Sequence, residues 1–388
     1  MTDKKMKICH VITRMIVGGA QENTLLTIIG HVQKGHEVVL ITGPSPGPEG
    51  ELLKNSDFPE FEILEVPELV RDLNPLKDCI AYRKLKNIFK ERQFDVVHTH
   101  SSKAGIIGRA AAWKAKIPFV THTVHGQAFH RYEKPWKNFM YICVERWAAR
   151  RCHKIYAVAQ AMIDQCVEAK IAPREKYKVV YSGMDIAKFL NAAPEVELRE
   201  KLGIPSHAKV IGTVARLFPL KGYEYFLPFA HSVANVCPEV HFLIVGDGPM
   251  RENMDKRIAR TGLEDHFHFA GLVPPDEVYR YIALMDMLVH LSLREGLPRC
   301  VVQALASGKP ALGFQLDGTP EVIIDGETGY CAQAKDTKTV IASAVHILSN
   351  PDLAERMGVN GRKLVAEKFD WHKMADILEK EYLEHLTF

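Results

Sequence analysis

Three groups of residues stand out for the chemistry their types and spacing could do. The first is Arg294-Glu295-Gly296-Leu297-Pro298, which follows the apolar run Met287–His290 and precedes a short helical stretch, 299–307, closed by Gly308. A strand that gives way to a Gly-Pro turn and a helix start offers an anion the unpaired first amides of that helix and the positive end of its dipole. Glu295 sits just ahead of that anion site, where a carboxylate repels phosphate unless it holds something else; the donor hydroxyls of a sugar would suit it. The second group is Arg216 and Lys221, which flank Pro219 and can converge on one anion, Arg as a fork and Lys as a point charge. The third is a set of histidines. His98-Thr99-His100 closes one apolar run, and His122-Thr123-Val124-His125-Gly126 closes the next. The H-x-H spacing puts two rings on one side of a strand and raises a metal site, but the acidic ligand such a site usually includes is missing from both turns. One imidazole, His125 beside the permissive Gly126, is then the candidate to hydrogen-bond a substrate, with His98 and His122 expected as structural histidines.

The elements that must position these groups read as βαβ units. Short β-branched runs at Lys7–Ile12, Glu37–Thr42, 96–99, 119–123, 154–158 and 178–180 alternate with longer amphipathic stretches, which predicts a parallel sheet. Gly18-Gly19-Ala20 forms the turn after the first strand, and residues 43–51, with their prolines and glycines, read as a loop. The rhythm restarts at 210–214 and continues through 242–245, 267–269, Met287–His290 and 310–313, as a second sheet would. In that half the strands end in polar turns carrying Gly or Pro: Arg216 to Gly222, Gly246-Asp247-Gly248-Pro249, Gly271-Leu272-Val273-Pro274, and the Glu295 turn. In a parallel sheet all of them lie on one edge, where ligands bind.

Composition narrows the class. With 388 residues two domains are expected; 47% hydrophobic and 25% charged residues describe an ordinary globular chain. A net charge of +3 is too mild to argue for nucleic acid. The eight cysteines are scattered without a C-x-x-C pair, which points to reduced thiols in a cytoplasm. No signal-peptide core is present, and no apolar run reaches the ~18 residues of a membrane span. A peripheral contact is nevertheless suggested by residues 130–154. There Arg131, Lys134, Lys137, Arg146, Arg150, Arg151 and Lys154 stand against Glu133 and Glu145, interleaved with Tyr132, Trp136, Phe139, Tyr141 and Trp147. That mixture fits an interfacial helix drawn to anionic lipid; the alternative is a solvated helix whose aromatic side packs inward.

Taken in order, these motifs resemble those of the retaining GT-B glycosyltransferases of family 4 (glycosyl transferases group 1), closest to bacterial enzymes of cell-surface polysaccharide biosynthesis. The resemblance runs through the Gly18-Gly19-Ala20 loop, His100-Ser101-Ser102-Lys103-Ala104-Gly105, Thr123-Val124-His125-Gly126, Arg216 with Lys221-Gly222, Gly246-Asp247-Gly248-Pro249, and Arg294-Glu295-Gly296-Leu297-Pro298 with Gly318-Thr319-Pro320-Glu321. It implies an α/β chain of two Rossmann-like parallel-sheet domains facing a central cleft. The acceptor domain would span 1–191, the nucleotide-sugar donor domain 192–370, and a last helix, 371–388, would pack back on the first domain. The implied activity moves a hexosyl group from a nucleotide-diphosphate sugar, UDP-linked, to a hydroxyl of a glycan or polyprenyl-linked acceptor, with no metal, at the inner face of the cell membrane. The family's roles fall on Arg216 and Lys221 for the diphosphate, helped by Gly18, Gly19, Gly296 and Leu297. Glu295 and His125 take the donor sugar, Gly246, Gly248 and Val273 the base and ribose, and His100, Lys103 and Gly126 the acceptor. One departure matters. The family has a second glutamate eight positions after the first, on the ribose, and here that position is Gln303. It keeps two rival readings open, an epimerase-like GT-B enzyme and a catalytically weak nucleotide-sugar-binding subunit.

Overall fold

The β-branched runs form two all-parallel sheets. The structure, a computed structural model, describes residues 5–45, 52–53 and 58–386. In the first sheet β1 (Lys7–Ile12), β2 (Glu37–Thr42), β3 (Glu62–Glu65), β4 (Val96–His100), β5 (Phe119–Val124), β6 (Lys154–Ala157) and β7 (Tyr177–Val179) lie in the order β3-β2-β1-β4-β5-β6-β7. In the second, β8 (Lys209–Val214), β9 (Val240–Val245), β10 (Phe267–Gly271), β11 (Met287–His290), β12 (Ala311–Phe314) and β13 (Gly329–Ala332) lie in the order β10-β9-β8-β11-β12-β13. The central strands are buried on both faces, so they read as unbroken apolar runs rather than as alternating ones. Two strands escape the sequence reading. β3 is a four-residue edge strand, EILE, with both glutamates exposed, and β13 is a four-residue run that opens on a glycine. Of the expected loop 43–51, residues 46–51 lie outside the described ones.

Contacts divide the chain into two units, Met1–Met184 with Asp370–Phe388, and Asp185–Phe369. In the first unit α1 (Gly19–Gln33) packs against the terminal helix Trp371–Leu386 so closely that a Cβ on Gly30 would lie 2.5 Å from that of Ala375. Met374, Leu378 and Tyr382 of the terminal helix enter one core with Met6, Ile8, Val96, Phe119 and Tyr156. Burying side chains of this size stabilises by roughly 1.5–3 kcal/mol each, so this helix is an integral layer of the unit. The opposite face carries α3 (Ser102–Ala115), where a Cβ on Gly105 would meet the His122 ring at 2.5 Å. Beside it runs α2 (Pro75–Arg92), started by Pro75 and by the Asn74 side chain, which accepts from Lys77 N at 3.1 Å. No helix among the described residues is long and apolar enough to cross a membrane.

Each sheet reverses its direction of growth once, between β1 and β4 and between β8 and β11. The carboxyl ends of strands at such a reversal are where open α/β sheets take their ligands.

Candidate active site

In the second unit the reversal brings together the turn after β8 and the turn after β11. Lys221 Nζ donates to Glu295 Oε1 at 2.6 Å, and His290 Nε2, from the last residue of β11, lies 3.1 Å from the same oxygen. Cys300 Sγ is 3.4 Å from His290 Nδ1. Backbone contacts hold the two turns in register: Leu293 N donates to Leu220 O at 2.8 Å, and Ser292 Oγ to the same carbonyl at 3.1 Å. Leu220 itself has φ 68°, a strained value for a side chain of its size and one that this pinning maintains. Gly222, also at positive φ, passes so near that a Cβ would fall 1.9 Å from Leu291 O. The third turn, after β12, closes the group from its other side, with Glu295 N donating to Asp317 Oδ2 at 2.8 Å and Gly318 N to Gly296 O at 3.1 Å.

The electrostatics answer the difficulty of a carboxylate at an anion site. Burial would raise Glu295, but Lys221 first and His290 next hold it far below the usual carboxylate range. Burial would likewise lower His290, yet the Cys300 sulfur and the Glu295 carboxylate raise it to about 10. Lys221 and His290 thus both face one carboxylate oxygen. The helices Tyr223–Val236 and Arg299–Ala306 both begin at this edge, directly after Gly222 and Pro298, and add their amide dipoles.

Arg216 is carried beside this cluster on a pinned strand end. Ala215 N donates to Val245 O at 3.0 Å and Leu217 N to Asp247 O at 2.9 Å, while the Arg216 guanidinium stands 5.0 Å over the Phe218 ring. The Gly246-Asp247-Gly248 turn fits against it only because Gly246, at φ 135°, lacks a Cβ, which would lie 2.1 Å from Ala215 O. Gly246 N in turn donates to Gly271 O at 2.9 Å, so the turn bearing half-buried Val273 is joined to the same array. Leu297 is buried, and Gln303 sits half-buried one turn into its helix.

In the first unit Gly18 and Gly19 precede and open α1 at the end of β1. Ser101 Oγ bonds Thr13 Oγ1 at 2.8 Å, tying the turn after β4 to the turn after β1. Between α1, the terminal helix and the sheet lies a histidine cluster. His100 Nδ1 is 3.0 Å from His125 Nε2, and His100 Nε2 is 3.0 Å from His10 Nδ1. His98 bonds the Tyr382 hydroxyl through Nδ1 and Thr123 Oγ1 at 2.6 Å through Nε2. His122, on the other face, is 3.0 Å from Thr99 Oγ1. Burial, followed by neighbouring imidazoles or Arg109, pushes His98, His100 and His122 well below the usual histidine range. Among the described residues His10, His98 and His100 are the one group of ligand-type side chains whose nitrogens lie within 4.8 Å of one another.

Two of the residues expected at the acceptor already have partners within the first unit. His100 is fully buried with both ring nitrogens engaged, which leaves it no edge for a ligand. Lys103 is drawn to Asp78 of α2 at 2.6 Å and to the Asp72 carbonyl, so its charge is already matched. Gly126 is exposed, with open space around its Cα. The inward-packing alternative for the basic segment is overturned. In α4 (Pro135–Ala149) only Ala148 and Ala149 are buried, and the stripe Trp136, Phe139, Met140, Val144 and Trp147 is exposed, Trp136 by 62% and Phe139 by 72%. Sequence reasoning missed His290, Asp317 and His10. For His290 and His10 the available signal was a lone polar residue in an otherwise apolar strand, at or near its carboxyl end.

Comparison with known proteins completes the site. Residues 17–188 match the family described as Glycosyltransferase Family 4, and residues 195–364 that described as Glycosyl transferases group 1. The chain is 28% identical over 386 residues to a UDP-Gal:alpha-D-GlcNAc-diphosphoundecaprenol alpha-1,3-galactosyltransferase of Escherichia coli, covering 99% of this chain and 98% of that one. It is 26% identical over 312 residues to the putative glycosyltransferase EpsD of Bacillus subtilis, covering 78% and 80%. Among solved structures it is similar to Anabaena HepE in complex with UDP and glucose, with a TM-score of 0.82 at 20% identity over 98% of this chain and 100% of that one, which shows a shared fold.

Proposed function

The chain belongs to the group 1 and family 4 glycosyltransferases of GT-B fold, and we propose that it moves a hexose from UDP to a hydroxyl of a lipid-linked glycan with retention of configuration. The observation that carries the reading is the Lys221–Glu295–His290 cluster at the strand-order reversal of the second unit, with Arg216 on the same turn as Lys221. Breaking the anomeric C–O bond puts positive charge on the sugar and negative charge on the departing diphosphate. Arg216, Lys221 and the first amides of the helix after Pro298 are preorganised for the diphosphate charge, which is the largest stabilisation such a site can supply. Glu295 accepts from the sugar hydroxyls, its own charge kept by Lys221 and His290. His125, at the carboxyl edge of the first sheet, bonds a substrate oxygen. The acceptor hydroxyl attacks from the leaving-group face, and its proton passes to the departing phosphate oxygen, so that no protein carboxylate need reach the anomeric carbon and no metal is required.

The uridine donor and the polyprenyl acceptor are supported by the E. coli relative, whose name contains both UDP and diphosphoundecaprenol. A membrane-borne acceptor also gives the exposed stripe of α4 a purpose. Each exposed aromatic or aliphatic side chain gains roughly 1.5–3 kcal/mol on burial, against about 1 kcal/mol for each nearby cation at an anionic surface. Binding to phosphatidylglycerol vesicles is therefore expected to weaken but persist in salt, and to fail in Trp136→Ser/Phe139→Ser.

The deciding experiment incubates the full chain with a panel of nucleotide hexoses and polyprenyl diphosphate sugars in chelator, then reads the new linkage by NMR. Transfer from a UDP-hexose with the donor's anomeric configuration is the expected result. Inversion, a requirement for added metal, or transfer only from a non-uridine donor would overturn the proposal.

A further inference from the structure

We infer that His10 and His100 form a buried hydrogen-bond string that fixes the tautomer of His125, so that His125 meets a ligand only as an Nδ1–H donor. The inference deepens the role given to His125 above and rests on that reading for the ligand, a substrate oxygen. The string itself is a property of the first unit alone.

The geometry is that of rings joined end to end. In both pairs, His10 with His100 and His100 with His125, the centroids are 5.3 Å apart and the facing nitrogens 3.0 Å apart. Centroids stand that far apart when two imidazoles meet nitrogen to nitrogen along their ring axes. The interplanar angles, 18° and 31°, keep each N–H directed at the next ring's lone pair. Three lone pairs aimed at one metal ion would need converging rings. Here His98 is stacked on His100 at 4.3 Å, with its own nitrogens taken by Tyr382 and Thr123.

A string of neutral imidazoles has only two polarities, because each ring holds one proton. The far end decides between them. His10 Nε2 is buried and meets no hydrogen-bond partner among the described residues. A bare lone pair is tolerable there, whereas an N–H without an acceptor is among the rarest of buried groups. His10 therefore carries its proton on Nδ1 and donates to His100 Nε2. His100 must then carry its proton on Nδ1 and donate to His125 Nε2. With Nε2 accepting, neutral His125 carries its proton on Nδ1, so it can give a hydrogen bond to a substrate oxygen and cannot take a proton from an attacking hydroxyl. Burial keeps the string neutral, with His10 pushed down to about 3 and His100 well below its usual value, as the ordering requires. His10 and His100 are thus positioning residues, acting through His125.

The test is long-range 15N–1H correlation NMR on the histidine-labelled full chain without ligand, with the His125 signals assigned through His125→Gln. A protonated Nδ1 and bare Nε2 on His125 are expected; a protonated Nε2 overturns the inference. His100→Asn keeps a donor near the Nδ1 position and should preserve the His125 pattern. His100→Leu should shift His125 toward a mixture of tautomers and lower kcat about ten- to hundredfold, with a smaller change in donor KM. An unchanged His125 pattern in His100→Leu would sink the idea, and should that variant not fold, the native and His100→Asn spectra decide. One equivalent of transition metal in the purified protein, found by elemental mass spectrometry and lost in His10→Asn, would replace the string with a metal site. Because the spectra are read without substrates, a chain that transfers no sugar would overturn the proposed function and leave the tautomer result standing.

Discussion

His100 closes β4 and His290 closes β11, and these two strands hold the same place in their sheets, each beside the reversal of strand order. Both side chains are buried. One is pushed well below the ordinary histidine value and the other raised to about 10. Burial alone would lower both, so the difference comes from the Cys300 sulfur and from what the following turn delivers. After β11 the chain returns a carboxylate, Glu295, to within 3.1 Å of the ring. After β4 it supplies serines instead, and the His100 ring meets imidazoles from other strands, His10 and His125. The same residue at the same topological position thus stores charge in one sheet and hydrogen-bond direction in the other, and only the first kind can hold an anion.

The comparison can be broken most forcefully at its charged end. Glu295→Gln should lower kcat about 10²- to 10³-fold while circular dichroism stays native, and the His290 titration should move downward by NMR. An unmoved His290 titration would mean that Glu295 does not help to raise it. Arg216→Ala should cost about tenfold to a hundredfold in kcat, because the diphosphate keeps Lys221 and the helix amides; undiminished turnover would remove Arg216 from the leaving group.

Stability against pH separates the two histidines next. His10, His98, His100 and His122 have folded-state values below their ordinary one, so below about pH 6.5 the unfolded chain binds protons that the folded chain refuses. Their contribution is complete above that pH and is lost as pH falls, by up to about 1.4 kcal/mol per pH unit for each ring. His290 has the opposite sign. Raised to about 10, it stabilises fully below pH 6.5 and loses that contribution as pH rises toward 10. Urea denaturation with a probe in each unit should show an acid limb in the first unit that is shallower in His10→Asn. In the second it should show an alkaline limb that His290→Gln abolishes. The smallest expected effect is that of Gln303→Glu, which should tighten UDP binding by several-fold, less than about 1.4 kcal/mol, as a rise in melting temperature with UDP.

Much of this arrangement was legible in the sequence. Strands such as Lys7–Ile12 and Met287–His290 announce themselves because central parallel strands are apolar throughout, and the turns bearing Arg216, Lys221 and Glu295 follow from Gly and Pro placed at strand ends. What stayed hidden depends on pairing across long stretches of chain. His10 lies 90 positions from the His100 ring it faces, and Tyr382 lies 284 positions from His98. His290 was passed over because a histidine within a buried strand has no local signal of its raised value, which comes from the Cys300 sulfur and from a carboxylate that folds back to it. The partners of His100 and Lys103 were hidden for a related reason. Position at a strand end predicts which edge a residue occupies, but not whether neighbours from other elements have already claimed its polar atoms.

The terminal helix has a consequence for how the chain is made. Met374, Leu378 and Tyr382 cover the face of the first sheet that carries the histidine string, yet they leave the ribosome after all of Asp185–Phe369. At about 5–20 residues per second the first unit waits roughly ten to forty seconds for its last layer, with that face and the open flank of α1 uncovered. During synthesis the nascent protein therefore passes through a long-lived, half-finished form, and that interval is when it would depend most on chaperones.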